Sequence, residues 1–199
     1  MTLEDSLNEL GAAFQIAPLA HRGQTRADGV TPYIFHPMRV EQLVAFWGAK
    51  DLDLLPWEPR TEELLRMRAA ALMHDVVEDT TYSLETLDGF GFSHELLDLV
   101  DLLTKPDNGP AGPDYYKRIA TSREALVVKC ADRCTNLEDA IKSVKAGDGI
   151  ERWRAYAEKT ERDVLPLYEE IEWSDLHWEL VERLTFLNYA LDAVSRVRL

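Results

Sequence analysis

Cysteine, basic charge and long apolar runs are all scarce in this chain, and each scarcity removes a class of protein. Only two of the 199 residues are cysteine, Cys130 and Cys134. Four apart in KCADRCTN, they share one helix face, where disulfide geometry is hard to reach without strain. A C-x3-C with no further cysteines is also a weak zinc signal, so both read as free thiols packed as small hydrophobes. Lysine and arginine number 22 against 36 aspartates and glutamates, a net charge of −14. That balance argues against general affinity for nucleic acid or an anionic membrane. No apolar run approaches the length of a bilayer span, and the acidic start MTLEDSLNEL is unlike a signal peptide. The expected setting is the cytoplasm.

Strand alternation, internal repeats, low-complexity tracts and interdomain linkers are missing as well. What the sequence does contain is helical periodicity, in a chain long enough to bury a core, which reads as one all-α domain over residues 1–199. Leu3, Leu7, Leu10, Phe14 and Ala17 recur at spacings of three and four, one face of a helix over 2–20. Residues 22–35 carry Gly, Asp-Gly and Pro and form a loop, after which Pro37 suits the first turn of a helix through Val40, Leu43, Val44 and Phe46. DLDLLPWEPRT is a connector, Thr61 a helix N-cap, and a long helix is expected over about 62–79, ended by Thr80-Thr81. Ser83 opens a short helix that Gly89 and Gly91 close, and Ser93 caps another to about Thr104. PDNGPAGP is turn-rich and expected to be mobile. One or two helices follow over 114–142, then 150–168 with Pro166 near its end, then 174–195.

The unusual stretch is ALMHDVVEDT, residues 71–80. It sets His74, Asp75, Glu78 and Asp79 against the apolar run Ala69 to Met73, and a buried charge is costly unless paired, hydrogen-bonded or bound to a metal. On a continuous helix His74 stacks with Glu78 and Asp75 with Asp79, in rows about 100° apart, with Val76 and Val77 turned to the core. A solvated acidic face with a satisfied core histidine is the plain alternative. Two further residues favour a metal: His36, in YIFHP at a helix start, and Asp132, inside the apolar VVKCADRC. His36, His74, Asp75 and Asp132 together make a mixed nitrogen and oxygen donor set suited to a divalent ion with positions left for water. Glu78 and Asp79 then fall one turn beyond, placed to move a proton to or from an attacking water or a leaving group. Hydroxide, carboxylate base and cations describe a phosphohydrolase.

Three blocks in order, AHRGQTRADGVTPYIFHP, ALMHDVVEDT and VVKCADRCTNLEDA (about 20–37, 71–80 and 127–140), resemble the signature blocks of the HD-type hydrolase domain of RelA/SpoT-like alarmone enzymes, in particular the small alarmone hydrolases. The resemblance spans roughly residues 15–170. It implies an all-helical HD-domain bundle holding Mn²⁺ or another divalent ion, and hydrolysis of the 3′-pyrophosphate of (p)ppGpp, a guanine nucleotide, to GDP or GTP plus pyrophosphate. By motif match it gives the metal-ligand roles to His36, His74, Asp75 and Asp132, and activation and orientation of the attacking water to Glu78 and Asp79. Asn136 matches an asparagine lining the nucleotide pocket, and Arg26 an arginine placed against the nucleotide.

The match has departures. The Arg–Lys pair common after GQ is Arg26-Ala27, and the loop to Tyr33 is one residue longer than in the long bifunctional enzymes. The arginine often found two after the asparagine is Glu138, and the expected chain has no synthetase domain. Arg22, Arg26, Lys129, Arg133, Lys142, Lys145 and Lys159 are the basic residues near the motifs, with Arg26 the first choice for the substrate. Tyr115 and Tyr116 suit core packing, with stacking on a base as the alternative; His21 orders its loop; His94 and His177 are surface or half-buried; the five tryptophans are core or packing-edge groups. Two other functions compete: an HD phosphohydrolase acting on another nucleotide or an NADPH-type dinucleotide, and an antitoxin-like binding partner of an alarmone synthetase or toxin.

Overall fold

A computed structural model of the chain describes residues 2–53, 59–106, 112–169 and 174–197. It is helical throughout, without strands among the described residues, as expected for an HD domain. The chain divides into two compact units, Met1–Ala131 and Asp132–Leu199.

The first unit is built around α3 (Pro59–Met73), which packs on α1 (Leu3–Ala20), α2 (Phe35–Asp53) and α6 (His94–Leu103). Ala69, Ala70, Ala71, Leu72 and Met73 are all buried, so the last turns of α3 are apolar on every side and belong inside. The small side chains let its neighbours come close. The same is true where α2 crosses α3, for a Cβ on Gly48 would overlap the Leu64 Cδ1. Leu10, Ala13 and Ala17 of α1, Val40, Val44 and Trp47 of α2, and Leu96, Leu97, Leu99, Val100 and Leu103 of α6 complete the core. Charged ties lock the packing. Arg68 Nε donates to Glu41 Oε1 at 2.6 Å, and Arg66 makes a forked bond to Glu124 at 2.5–3.0 Å. The buried Glu9 of α1 accepts the Ser93 N–H at 2.7 Å at the start of α6, satisfying a helix-end donor that would otherwise be stranded.

The helix starts expected at Ser83 and Ser93 are observed, and Thr2 adds a further cap. Thr2 forms a reciprocal capping box with Asp5 at α1, Ser83 caps α5 (Leu84–Gly89), and Ser93 caps α6, each side chain satisfying a free N–H. Elsewhere the boundaries moved. The connector expected after residue 50 is helical to Asp53, and α3 begins at Pro59, so Thr61 lies inside the helix rather than capping it. Residues 54–58 of that connector and 107–111 of PDNGPAGP lie outside the described residues. The helix expected over 62–79 is two: α3 stops at Met73, His74 and Asp75 form a turn, and α4 (Val76–Asp79) follows. Of the two valines, Val76 is fully buried while Val77 is only half-buried. Residues 114–142 give α7 (Pro113–Ile119) and α8 (Arg123–Lys145), whose turns from Asp132 belong to the second unit.

The second unit contains those turns, α9 (Ile150–Lys159), α10 (Pro166–Glu169) and α11 (Ser174–Val197). Between α9 and α10 the chain makes a π-helical turn, Thr160–Val164, so the helix expected to run to Pro166 changes character earlier. At the start of that turn the Thr160 hydroxyl donates back to the Tyr156 carbonyl at 2.7 Å and receives the Arg133 guanidinium at 3.3 Å. Such back-bonding loosens the regular ladder, and the Leu165 N–H reaches five residues back to Thr160 at 2.9 Å. Arg133 is buried against the Tyr156 ring, 4.6 Å from its centroid. Trp178 on α11 is 62% exposed, unlike the buried Trp47; Trp57 and Trp173 lie outside the described residues.

Candidate functional site

The turn between α3 and α4 decides how the site is made. The His74 ring folds back so that Nδ1 donates to the Ala71 carbonyl at 2.8 Å. That bond requires a proton on Nδ1 and turns Nε2 towards Asp75. Nε2 lies 3.0 Å from Asp75 Oδ2, and His36 Nε2, from the first turn of α2, lies 3.7 Å from the same oxygen. The two imidazoles meet edge to face, 5.3 Å between centroids. One ligand atom from each of His36, His74 and Asp75 falls within 4.8 Å of the others, a grouping able to hold a metal ion. Both histidines are buried and Asp75 is half-buried. A borderline or hard divalent ion fits these donors.

Around them stand residues that the motifs alone had not singled out. The Tyr33 hydroxyl donates to Asp75 Oδ2 at 2.6 Å and reaches Asp79 Oδ2 at 3.2 Å. Gln24 donates to the Asp79 carbonyl at 2.7 Å, while its own amide oxygen lies 2.8 Å from His21 Nδ1. His21 is therefore a loop-ordering residue, and its ring packs on Tyr33 at 4.8 Å. The loop itself is closed by an antiparallel bridge between Thr25 and Pro32 and by Asp28. Asp28 accepts from the Val30 and Thr31 N–H groups and the Thr31 hydroxyl. Those bonds, the hydroxyl first, hold its carboxyl down at about 2. Arg26 lies over the Tyr33 ring, 5.4 Å from its centroid, and Ala27 is exposed.

Glu78 and Asp79 have different surroundings. Lys105, two residues past the end of α6, engages both Glu78 oxygens, its ammonium on Oε1 and its backbone N–H on Oε2 at 3.3 Å. Burial alone would lower the Lys105 ammonium, but the bond and charge of Glu78 outweigh it and raise its pKa. Asp79 is more exposed than Glu78. Loss of hydration around the carboxyl, then the charges of Asp75 and Glu78, push its pKa up against the pull of Tyr33 and Lys105.

Asp132 and Asn136 stand in the second unit on one face of α8, as their spacing required. The Asn136 amide donates to Asp132 Oδ1 at 2.6 Å, and Asp132 is buried. Glu138 does something else. It accepts from Arg183 of α11 at 3.0 Å, about 200° around α8 from Asn136. The basic residues also sort out: Arg133 is committed to Thr160 and Tyr156, Lys142 to Asp139, and Lys129 is buried over the Tyr115 ring at 5.6 Å. Tyr115 and Tyr116 are core residues, the Tyr115 hydroxyl bonding the Leu103 carbonyl at 2.6 Å. His94 is exposed and His177 half-buried.

Sequence comparison bears on this geometry. The HD domain profile matches residues 33–137. The chain belongs to the HD domain family. It is 32% identical to a GTP pyrophosphokinase of Streptomyces coelicolor over 91% of this chain and 20% of that protein. It is 34% identical to a guanosine-3′,5′-bis(diphosphate) 3′-pyrophosphohydrolase of Vibrio cholerae over 67% of this chain and 18% of that one. The bifunctional (p)ppGpp synthase/hydrolase SpoT of Escherichia coli K12 is 33% identical over the same shares. The chain thus spans about a fifth of the length of these relatives. Among solved structures, one described as a metazoan ortholog of SpoT that hydrolyzes ppGpp shares the HD fold. Its TM-score is 0.56 at 23% identity, covering 96% of this chain and 95% of that one. Among the described residues no helix is long and apolar enough to cross a membrane.

Proposed function

We propose that this HD domain is a divalent-metal-dependent hydrolase of the cytoplasm that removes the 3′-pyrophosphate of (p)ppGpp, giving GDP or GTP and pyrophosphate. The observation that carries the reading is the His36–His74–Asp75 cluster with Glu78 and Asp79 one short helix further on. His36, His74 and Asp75 hold the ion, which we take to be Mn²⁺, and Asp132 joins them on the strength of its motif. A divalent ion held there acts as a Lewis acid and makes water nucleophilic near neutral pH.

Hydrolysis breaks the bond between the ribose 3′ oxygen and phosphorus, so the attacking water loses a proton and the 3′ oxygen gains one. Glu78 and Asp79 are the carboxyl groups available for those transfers and for aligning the water. Arg26, above the Tyr33 ring, presents a guanidinium for the nucleotide. Asn136 reaches the nucleotide only in combination with its bond to Asp132, and its first effect is to orient that carboxylate.

Ala27 favours a second reading. It is exposed, at a position where the resemblance expects a lysine, so a nucleotide with a differently placed phosphate, including an NADPH-type dinucleotide, is a competing substrate. The test incubates the purified protein and Mn²⁺ with ppGpp, pppGpp and NADPH, resolving pyrophosphate from orthophosphate. Pyrophosphate from ppGpp or pppGpp supports the first reading, and orthophosphate from NADPH alone supports the second. No product from any of them, with metal bound, sinks both and leaves the synthetase- or toxin-partner role.

A further inference from the structure

Glu78 and Asp79 are neighbours in sequence, yet one carboxylate is gripped and the other is not. Glu78 sits on a four-residue helix that cannot by itself fix a long side chain, and Lys105 closes on both of its oxygens, through the ammonium and the backbone N–H. The grip comes from a firm element. Val100 accepts the Thr104 hydroxyl at 2.8 Å, and the buried Tyr115 hydroxyl holds the Leu103 carbonyl at 2.6 Å. The end of α6 is thereby pinned two residues before Lys105. Asp79, by contrast, is the more exposed residue, and its hydrogen bond from Tyr33, at 3.2 Å, is shared with a shorter one to Asp75. Gln24 holds only its main chain.

We infer that Lys105 is a positioning residue that divides this pair: it holds Glu78 in a fixed place where it aligns the reacting water, and leaves the Asp79 carboxyl outside its grip. The inference deepens the proposed hydrolase and rests on it for its kinetic part. A cation that merely met the substrate's phosphates would have no need of a second, main-chain contact to Glu78. A surface ion pair placed for stability would not sit at the end of the helix facing the site.

The test uses the full chain with Lys105→Met, which keeps the aliphatic stem, Lys105→Arg, Glu78→Gln and the Lys105→Met/Glu78→Gln pair. With Mn²⁺ and ppGpp, Lys105→Met should lower kcat about 10–10²-fold, the scale of a displaced catalytic group, with KM changed less than about threefold and Mn²⁺ affinity by calorimetry unaltered. Lys105→Arg should restore part of the loss. In the Glu78→Gln background Lys105→Met should have no further effect, because the group it positions is already disabled. A rise in KM at constant kcat, or losses that simply multiply in the double variant, would overturn the inference. A second readout is independent of turnover: thermal unfolding should show a loss on Lys105→Met that vanishes in the Glu78→Gln background. If the wild-type protein releases no pyrophosphate, the proposed function fails. The unfolding cycle then still decides whether Lys105 holds Glu78, and additivity there would refute it.

Discussion

Asp75, Glu78 and Asp79 crowd the turn after α3, each within the field of the others, whereas in the second unit the Arg183 guanidinium is set between Glu138 and Glu179, at 3.0 and 2.6 Å. Both regions take charge out of water, with opposite results. Around Asp79 the neighbours oppose ionisation and its pKa rises. Around Arg183 burial opposes the charge, but the nearby Cys134, then Glu179 and Glu138, outweigh it and hold the guanidinium more firmly protonated. In the first arrangement three carboxylates share one turn and raise the pKa of Asp79; in the second each carboxylate meets the same guanidinium. That difference separates a cluster whose charges oppose one another from one whose charges are paired, which the residue types alone do not do.

The contrast can be broken most directly at Asp75. Asp75→Asn should abolish Mn²⁺ binding by calorimetry and lower pyrophosphate release by orders of magnitude. The metal-free protein should melt no earlier than the wild type, since a charge that opposes the ionisation of Asp79 is gone. Normal Mn²⁺ binding would refute the ligand assignment, and a lower melting temperature would make Asp75 structural. Tyr33→Phe removes the hydroxyl bound to Asp75 and Asp79 without changing the ring. A cost of about 10–100-fold in metal affinity or rate is expected, the usual penalty for losing a ligand's hydrogen-bonded support.

In the second unit the signature reverses. Arg183→Met should cost about 2–4 kcal/mol in urea denaturation, because two carboxylates lose their partner, while Mn²⁺ affinity stays as it was. Asp28 gives the smallest effect and a useful limit, an acid that is fully satisfied yet exposed. Its folded pKa lies below the unfolded value of about 3.9. Its support for the loop is therefore complete above that value and lost as the pH falls through about 2. Amide exchange at Val30 and Thr31 should accelerate over that acid range, and in Asp28→Ala it should already be fast at neutral pH.

What was legible in the sequence follows from how local each cause is. Ser83 and Ser93 were readable as caps or helix starts because a cap bonds within three residues. The donor types at His36, His74 and Asp75 were readable from motif and apolar context, and three of the four expected ligands come together within the first unit. The break at His74 was not readable, since the ring's bond to the Ala71 carbonyl competes with a regular helix that every nearby residue favours. Lys105 escaped notice because it meets Glu78 from 27 residues away with no spacing rule to announce it. Tyr33 lies within YIFHP and Gln24 within GQTR, so attention to polar residues inside those blocks was the signal available. Glu138 looked like a cation lost from a pocket, and only Arg183, 45 residues on, shows that position serving a helix contact.

The partner of His74 Nδ1 is a main-chain carbonyl. Replacing the side chain of Ala71 leaves that oxygen where it is, and shifts of pH within the folded range do not titrate it. The orientation of the ring is thus inherited with the path of the backbone, not with the identity of any neighbouring residue. The backbone turn therefore keeps the same ring nitrogen facing Asp75.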